Sequence, residues 1–530
     1  MIGPDLYSFR ALWRHYRNCR RNKRNTFNAL AFEVDAEARL LALQEELRAH
    51  SYRPGRSISF TTAGPKPREV FAADFRDRIV HHLLVSHQER VFEPLFIHDS
   101  FACRKGKGTL AASDRLMAFL RRATANGRCA AWALTLDVAS FFPSIHKETL
   151  EEILAAKIRH PELVWLTRTL LFHDPTSHYR FRSLTPGAPG PGSDQYPIPP
   201  EKSLFGKENA CGLPIGNLTS QFWGNVYLNE LDQFVKRRLR CRYYLRYVDD
   251  LVLLGERPDE LARWRGEIEA FLRERLHLEL RTEQRDPFPV GRGVELVGWK
   301  TSWSRRLPRR RTLGNLRARL GAFERQAVRP ALGGQAHRID LRRADLAGLR
   351  SVVASYSGHL RHGQAMRDWE RAWQRHPWLG ALFARAGWAV EERWPQPRIV
   401  QARRFQGQYG ALVRRAGEGC LVFCQIGRFV EFRGPQRALA TRVLGLRRAY
   451  LPRGPYAFTV GFPVHLSGYY QRRAIEQGLS VVEIREGPAP LGSGCKARRA
   501  VAVLVPAGDR ASPYLPGRIR IDHSPPSEPG

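Results

Sequence analysis

Cysteine is scarce and unorganised in this chain: there are eight in 530 residues, and no two form a CxxC pair. Neither a disulfide framework nor a zinc ribbon is therefore the organising device. Cys420 and Cys424 lie four apart in an alternating apolar stretch, on one face of an expected strand. They read as reduced core thiols, with zinc ligation as the open alternative. No apolar run approaches the roughly 20 residues needed to cross a bilayer, and residues 1–24 are interrupted by charge throughout, unlike a secretory leader. The chain also lacks a GxxxxGK[ST] loop and any internal repeat, so no ATP-driven cycle and no solenoid is expected. Acids are the minority, 51 Asp and Glu against 86 Lys and Arg, for a formal net charge of +35. Such an excess favours a polyanionic partner, although a GC-rich coding sequence would also enrich arginine. The expectation is a soluble, cytoplasmic protein with no membrane partner.

A length of 530 residues exceeds one ordinary core, and 43% hydrophobic residues suffice to fill several. From Tyr7 to Trp373 helical blocks alternate with short β-prone runs. Residues 183–200, rich in Pro and Gly, read as a surface loop. The periodicity weakens over residues 376–397, in a Trp-rich setting with Pro377, Pro395 and Pro397, which suggests a linker. Beyond Phe405 the order is strand-like at residues 420–432, helical from Pro435, and strand-like at 480–484 and 500–505. That pattern predicts a small mixed α/β domain. The proline-rich end reads as a disordered tail.

Chemistry is concentrated in two places. YYLRYVDDLVLLG (residues 243–255) sets two adjacent acids between apolar β-prone runs, as in a hairpin whose turn is Asp249–Asp250. Side-by-side carboxylates in such a setting are costly unless a cation neutralises them; an ordinary Asp-Asp turn is the bland alternative. ALTLDVASFFPS (residues 133–144) is an apolar strand ending in Asp137. Acids from segments more than a hundred residues apart could converge on two Mg²⁺ ions about 3.5–4 Å apart, one activating a primer 3′-hydroxyl and one neutralising pyrophosphate.

YVDD, LTLDVASFF and GLPIGNLTSQFWGNVYLNELD (residues 212–232), in this order, resemble reverse transcriptase over about 370 residues. The resemblance implies an α/β (α+β) right-hand polymerase fold, with fingers and palm over residues 1–300 and a thumb over 301–375. A linker at 376–404, the small domain at 405–508 and the tail at 509–530 would follow. It implies Asp137, Asp249 and Asp250 as catalytic residues, which with the adjoining Val138 form the metal-binding set for Mg²⁺, with Mn²⁺ as a substitute. Arg68, Phe142, Ile215 and Gly216 would bind the dNTP. Phe142 would clash with a 2′-hydroxyl, with ordinary core packing as its alternative. Ser220, Gln221 and the turn Val297–Gly298 would meet template and primer. Lys66, Pro67 and Arg68 resemble the fingers segment, in which Arg76 and Arg78 make structural or template contacts. The RRLPRRR run (residues 305–311) would meet the duplex backbone. One departure is clear. Where such enzymes carry a lysine after the hairpin, this chain has Glu283 and Gln284, with only Arg281 or Arg285 to supply charge, and arginine is a poor proton donor.

The segment IGNLTSQ (residues 215–221) resembles the enzymes of diversity-generating retroelements, as do SFRALWRHYR (residues 8–17) and RDRIVHHLL (residues 76–84). That family implies a bacterial or phage-encoded protein that copies template RNA into error-prone cDNA with mutations opposite adenine. Its partners would be dNTPs, cDNA or target DNA and an accessory protein. Ile215 in place of a glutamine offers shape but no directional hydrogen bond, and each ~1.4 kcal/mol of lost discrimination is tenfold in fidelity. LVFCQIGRFVEFRG, VLGLRRAYL, GFPVHLSGYY and GLSVVEIRE, over residues 421–505, resemble the N-terminal mismatch-recognition domain of MutS. There Phe429 would wedge against a mispaired base and Glu431 would hydrogen-bond it. A chance shared strand face is the alternative. Two rival readings remain open: an antiphage-defence reverse transcriptase and an inactive polymerase-like RNA-binding scaffold.

Overall fold

The structure is a computed structural model of the whole chain, which describes residues 6–21, 26–62, 67–183, 189–193, 195–207, 210–281, 286–394, 399–400, 405–447, 449–450, 458–491 and 495–507. It divides into two compact units, residues 1–306 and 307–530. Among the described residues no helix is long and apolar enough to cross a membrane.

The first unit is built on a four-stranded antiparallel sheet in the order Tyr243–Tyr247, Asp250–Gly255, Trp132–Asp137, Phe288–Pro289. Side chains alternate across a strand, so Leu134, Leu136, Tyr244, Leu251 and Leu253 enter one core while Ala133, Leu245, Val252 and Leu254 enter another. The first core is covered by helices Phe75–Phe92, Leu218–Gln233 and Pro258–Leu276, the second by Thr109–Ala123. A smaller sheet pairs Ser57–Thr61 with Glu69–Ala72 antiparallel and with Tyr179–Phe181 parallel. Val294–Leu296 and Trp299–Thr301 form a hairpin. Its two loop residues, Val297 (φ 43°) and Gly298 (φ 88°), both take positive φ, as a type I′ turn requires.

The second unit is a mixed sheet with helices on both faces. Its strand order is Val328–Ala331, Ala336–Asp340, Cys495–Pro506, Ser480–Leu491, Cys420–Ile426, Phe429–Phe432, Phe458–Pro463, Ala449–Tyr450. Only Cys420–Ile426 and Ser480–Leu491 run parallel along this path. Leu421, Phe423 and Val481 face one core, and Cys420, Val422, Cys424 and Val482 face the other. Cys420 and Cys424 are buried free thiols, pushed up to about 12 by burial.

The boundaries expected at 376 and 405 fall inside this unit rather than between domains. Strands 328–340 extend the sheet of the C-terminal strands. Trp369, Trp378 and Trp394 share one core with Leu412, Val422 and Val482. The tryptophans that blurred the helical period are core residues on short elements, and the stretch they occupy is not a linker. The expected thumb, too, shares the sheet and core of the C-terminal strands. The expected tail, residues 509–530, lies outside the described residues.

Candidate active site

The strand ending in Asp137 pairs along its whole length with the strand beginning at Asp250, so these two acids are directly opposite in register. The partner strand Tyr243–Tyr247 closes on Asp250 through a two-residue loop, Val248–Asp249. The turn therefore sits one residue earlier than its sequence suggests, and Asp250 belongs to the returning strand. Val248 takes φ 57°, as the first residue of a primed hairpin turn must. For a β-branched residue this is strained, at about 1–3 kcal/mol.

A buried ion pair holds the turn. Arg246, fully enclosed, donates from Nε to Asp232 Oδ1 (2.8 Å) and from Nη2 to Asp232 Oδ2 (2.7 Å). Its remaining nitrogen, Nη1, donates to Asn225 Oδ1 and to the Val248 carbonyl, both at 3.1 Å. Tyr244 donates its hydroxyl to Asp232 Oδ1 (2.8 Å), and Asn225 Nδ2 donates to the Ala102 carbonyl (2.8 Å). A buried guanidinium persists only with pairing of this completeness. These residues were missed in the sequence; the available signal was one arginine inside an apolar strand.

The carboxylates beside this brace sit in a cationic field. Arg281 Nη1 lies 2.8 Å from Asp137 Oδ2, and its backbone N–H donates to the Asp137 carbonyl (3.0 Å). Burial raises the Asp249 carboxyl above its ordinary range, while its own turn's backbone, Arg281, Arg68 and a hydrogen bond with Asp137 act in the opposite direction. Asp137 and Asp249 are thus brought together; Asp250 is exposed. Val138 has its side chain in the core and its N–H 3.4 Å from the Asp249 carbonyl. Adjacent oxygen donors that share a hydrogen bond are a set a hard divalent cation suits. Among the described residues no three His, Cys, Asp or Glu side chains converge on one point.

A cleft of about 390 Å³ opens beside the turn, with Asp249, Asp250, Arg281 and the expected nucleotide and template residues Arg68, Phe142, Ile215, Gly216, Ser220 and Gln221 in its lining. Ser140, at φ 44°, starts the short helix that presents Phe141 to the core and Phe142 to the cleft. A Cβ on Gly216 (φ 123°) would come within 3.0 Å of the Phe71 carbonyl, so that glycine is required by its backbone, while one on Gly224 would sit tight against Phe142 at 3.3 Å. Cys103, Ile198, Lys202 and Tyr247 also line the cleft and were not anticipated. Val297 and Gly298 are not part of this lining. Arg76 pairs with Glu46, and Arg78 donates to the Ala73 carbonyl (3.0 Å), so both make structural contacts. Lys66, Glu283, Gln284 and Arg285 lie outside the described residues. In the second unit Phe429 is 51% exposed, while Glu431 is held by Arg433 (3.0 Å).

With this geometry in view, residues 64–283 match the family described as reverse transcriptase (RNA-dependent DNA polymerase). The chain carries a reverse transcriptase domain. The mixed α/β polymerase fold implied by the motifs is the fold of this domain. The chain is 25% identical over 186 residues, 35% of its own length and 19% of the relative's, to an "Uncharacterized 91 kDa protein in cob intron" of Schizosaccharomyces pombe. Among solved structures it is similar to apo telomerase from Candida tropicalis truncated from the C-terminal domain (10% identity, TM-score 0.32, 47% of this chain and 53% of that one). A second similarity is to telomerase from Candida albicans with a fragment of telomeric RNA (11% identity, TM-score 0.33, 61% and 55%). The chain thus spans about half of each telomerase and a fifth of the yeast protein.

Proposed function

We propose that this chain is an RNA-directed DNA polymerase that copies a template RNA with dNTPs for a diversity-generating retroelement. The observation that carries the polymerase reading is the meeting of Asp137 and Asp249 on a braced turn beside a cationic cleft, inside a reverse transcriptase domain. Asp137, Asp249 and Asp250 would hold two Mg²⁺ ions, or Mn²⁺. Bound there, such ions supply charge neutralisation and a more acidic primer hydroxyl. The protein's own share is positioning. Arg246 fixes the turn through the Val248 carbonyl, Arg68 offers a cation to the triphosphate, and Phe142 limits space at the sugar. Ile215 in place of a directional donor supports the error-prone reading.

The second unit is assigned, within this proposal, to binding mismatched or heteroduplex nucleic acid through the exposed Phe429. Base stacking on such a ring is worth ~1–3 kcal/mol. A second reading, an intron-borne reverse transcriptase, is favoured by the similarity to the protein in a cob intron. Primer extension on RNA separates these. The proposal expects nucleotide addition with misincorporation concentrated opposite adenine, abolished in Asp249→Ala. Faithful copying opposite adenine sinks the retroelement assignment, and no addition by the wild type sinks the polymerase itself.

A further inference from the structure

Part of the segment read as a surface loop folds back onto the fingers. Residues 195–207 are tied to Glu69, a carboxylate only 4% exposed. It accepts hydrogen bonds from the Tyr196 hydroxyl (2.9 Å), the Ser203 hydroxyl (2.9 Å) and the Leu204 N–H (2.8 Å). Removing a carboxylate from water is costly, and three donors converging on it are the arrangement that offsets the cost. Phe205 packs against Phe71 and Tyr179, at ring separations of 5.5 and 5.1 Å, and Ile198 is buried. The segment is thus fixed at both ends of its short turn, Pro200–Lys202, to the strand that follows Arg68. Its product is a lysine in the cleft lining.

Four cationic side chains line that cleft: Arg68, Lys202, Arg246 and Arg281. Arg246 is committed to Asp232 and Arg281 to Asp137. Lys202 has Glu201 at 3.8 Å, with both side chains more than half exposed (51% and 60%), and such a pair holds its partners weakly. A triphosphate entering beside Asp249 needs compact positive charge, and an ammonium on a flexible stem supplies it.

We propose that Lys202, delivered by the Glu69-anchored segment, contacts the triphosphate of the incoming nucleotide. This rests on the polymerase reading and supplies, from a different segment, a cleft lysine that the stretch after the hairpin lacks.

The test is the dNTP concentration that half-stabilises a ternary complex, read by band shift on an RNA template with a dideoxy-terminated primer and Mg²⁺. Loss of one charge-assisted phosphate contact corresponds to roughly tenfold to a hundredfold. Lys202→Ala should raise the half-saturating dNTP concentration by that factor and Lys202→Arg should restore most of it. Binary binding to primer–template and the thermal unfolding midpoint should stay unchanged, since Lys202 is half exposed. An unchanged half-saturation in Lys202→Ala, alongside a raised one in Arg68→Ala, overturns the inference and leaves the polymerase standing. If the wild type forms a binary complex that no dNTP stabilises, the polymerase reading falls and Lys202 with it.

Discussion

Two hairpins, one in each unit, make the same turn and use it differently. In the first unit the loop Val248–Asp249 begins at φ 57°; in the second, Gly427–Arg428 begins at the same φ of 57°. Glycine adopts that conformation freely, whereas valine is strained there. The valine turn carries a half-buried carboxyl and is held from behind by a fully enclosed arginine. The glycine turn is exposed and places a half-exposed phenylalanine beside it. Strain is tolerated where surrounding contacts over-determine the backbone, and such places cluster at sites that must hold a group still. A ring that must reach a base needs access instead.

The comparison breaks most readily at Arg246. Arg246→Met leaves Asp232 buried without its partner, and removing one member of a buried pair costs about 3–5 kcal/mol. Urea unfolding should show that loss together with failure of primer extension. The double variant Arg246→Met/Asp232→Leu removes both charges, so it should recover much of the stability. It should not recover activity, because the Val248 carbonyl still lacks its donor. If activity returned with stability, the arginine would be only a folding element. At the other hairpin the expected effect is smaller and lies in binding. Phe429→Ala should weaken association with mismatched duplex by about 1–3 kcal/mol, leaving the unfolding midpoint unchanged. Equal affinity for matched and mismatched duplexes, the same in wild type and variant, would remove the mismatch assignment.

What was legible in the sequence follows from where each interaction lies along the chain. Asp137, Asp249 and Asp250 stand in strand patterns whose alternation survives folding, so their strands could be read directly. The turn was misplaced by one residue because Val-Asp-Asp has none of the glycine or asparagine that usually marks positive φ. The valine sits there because tertiary contacts impose it. The Arg246–Asp232 pair spans fourteen residues and depends on one helix packing behind one strand, which no local pattern encodes. The same holds for Glu69 and Ser203, 134 residues apart, so residues 195–200 read as part of a surface loop. In the second unit, residues 328–340 join strands more than 150 positions later, and the Trp-rich stretch that looked like a linker is core. Long-range pairing rather than composition decided each of these.

The smallest effects come from exchanging the two turns' first residues, and they separate strain from function most sharply. Gly427→Val forces a β-branched side chain into φ 57° at an exposed turn, where the Gln425 amide donates to the Gly427 carbonyl (3.0 Å) in place of an enclosed guanidinium, at about 1–2 kcal/mol. Urea unfolding measures that cost directly. Val248→Gly removes a comparable strain. The glycine, however, gives the unfolded chain more freedom, worth about 0.5–1 kcal/mol, and the half-buried valine side chain loses its packing. These terms oppose one another, so net stability should move by less than about 1 kcal/mol. Nucleotide addition should nevertheless slow, because a glycine turn lets the Asp249 carboxyl wander from Asp137. An unchanged rate in Val248→Gly would mean that the strained valine is incidental and that the Arg246 contact alone fixes the turn.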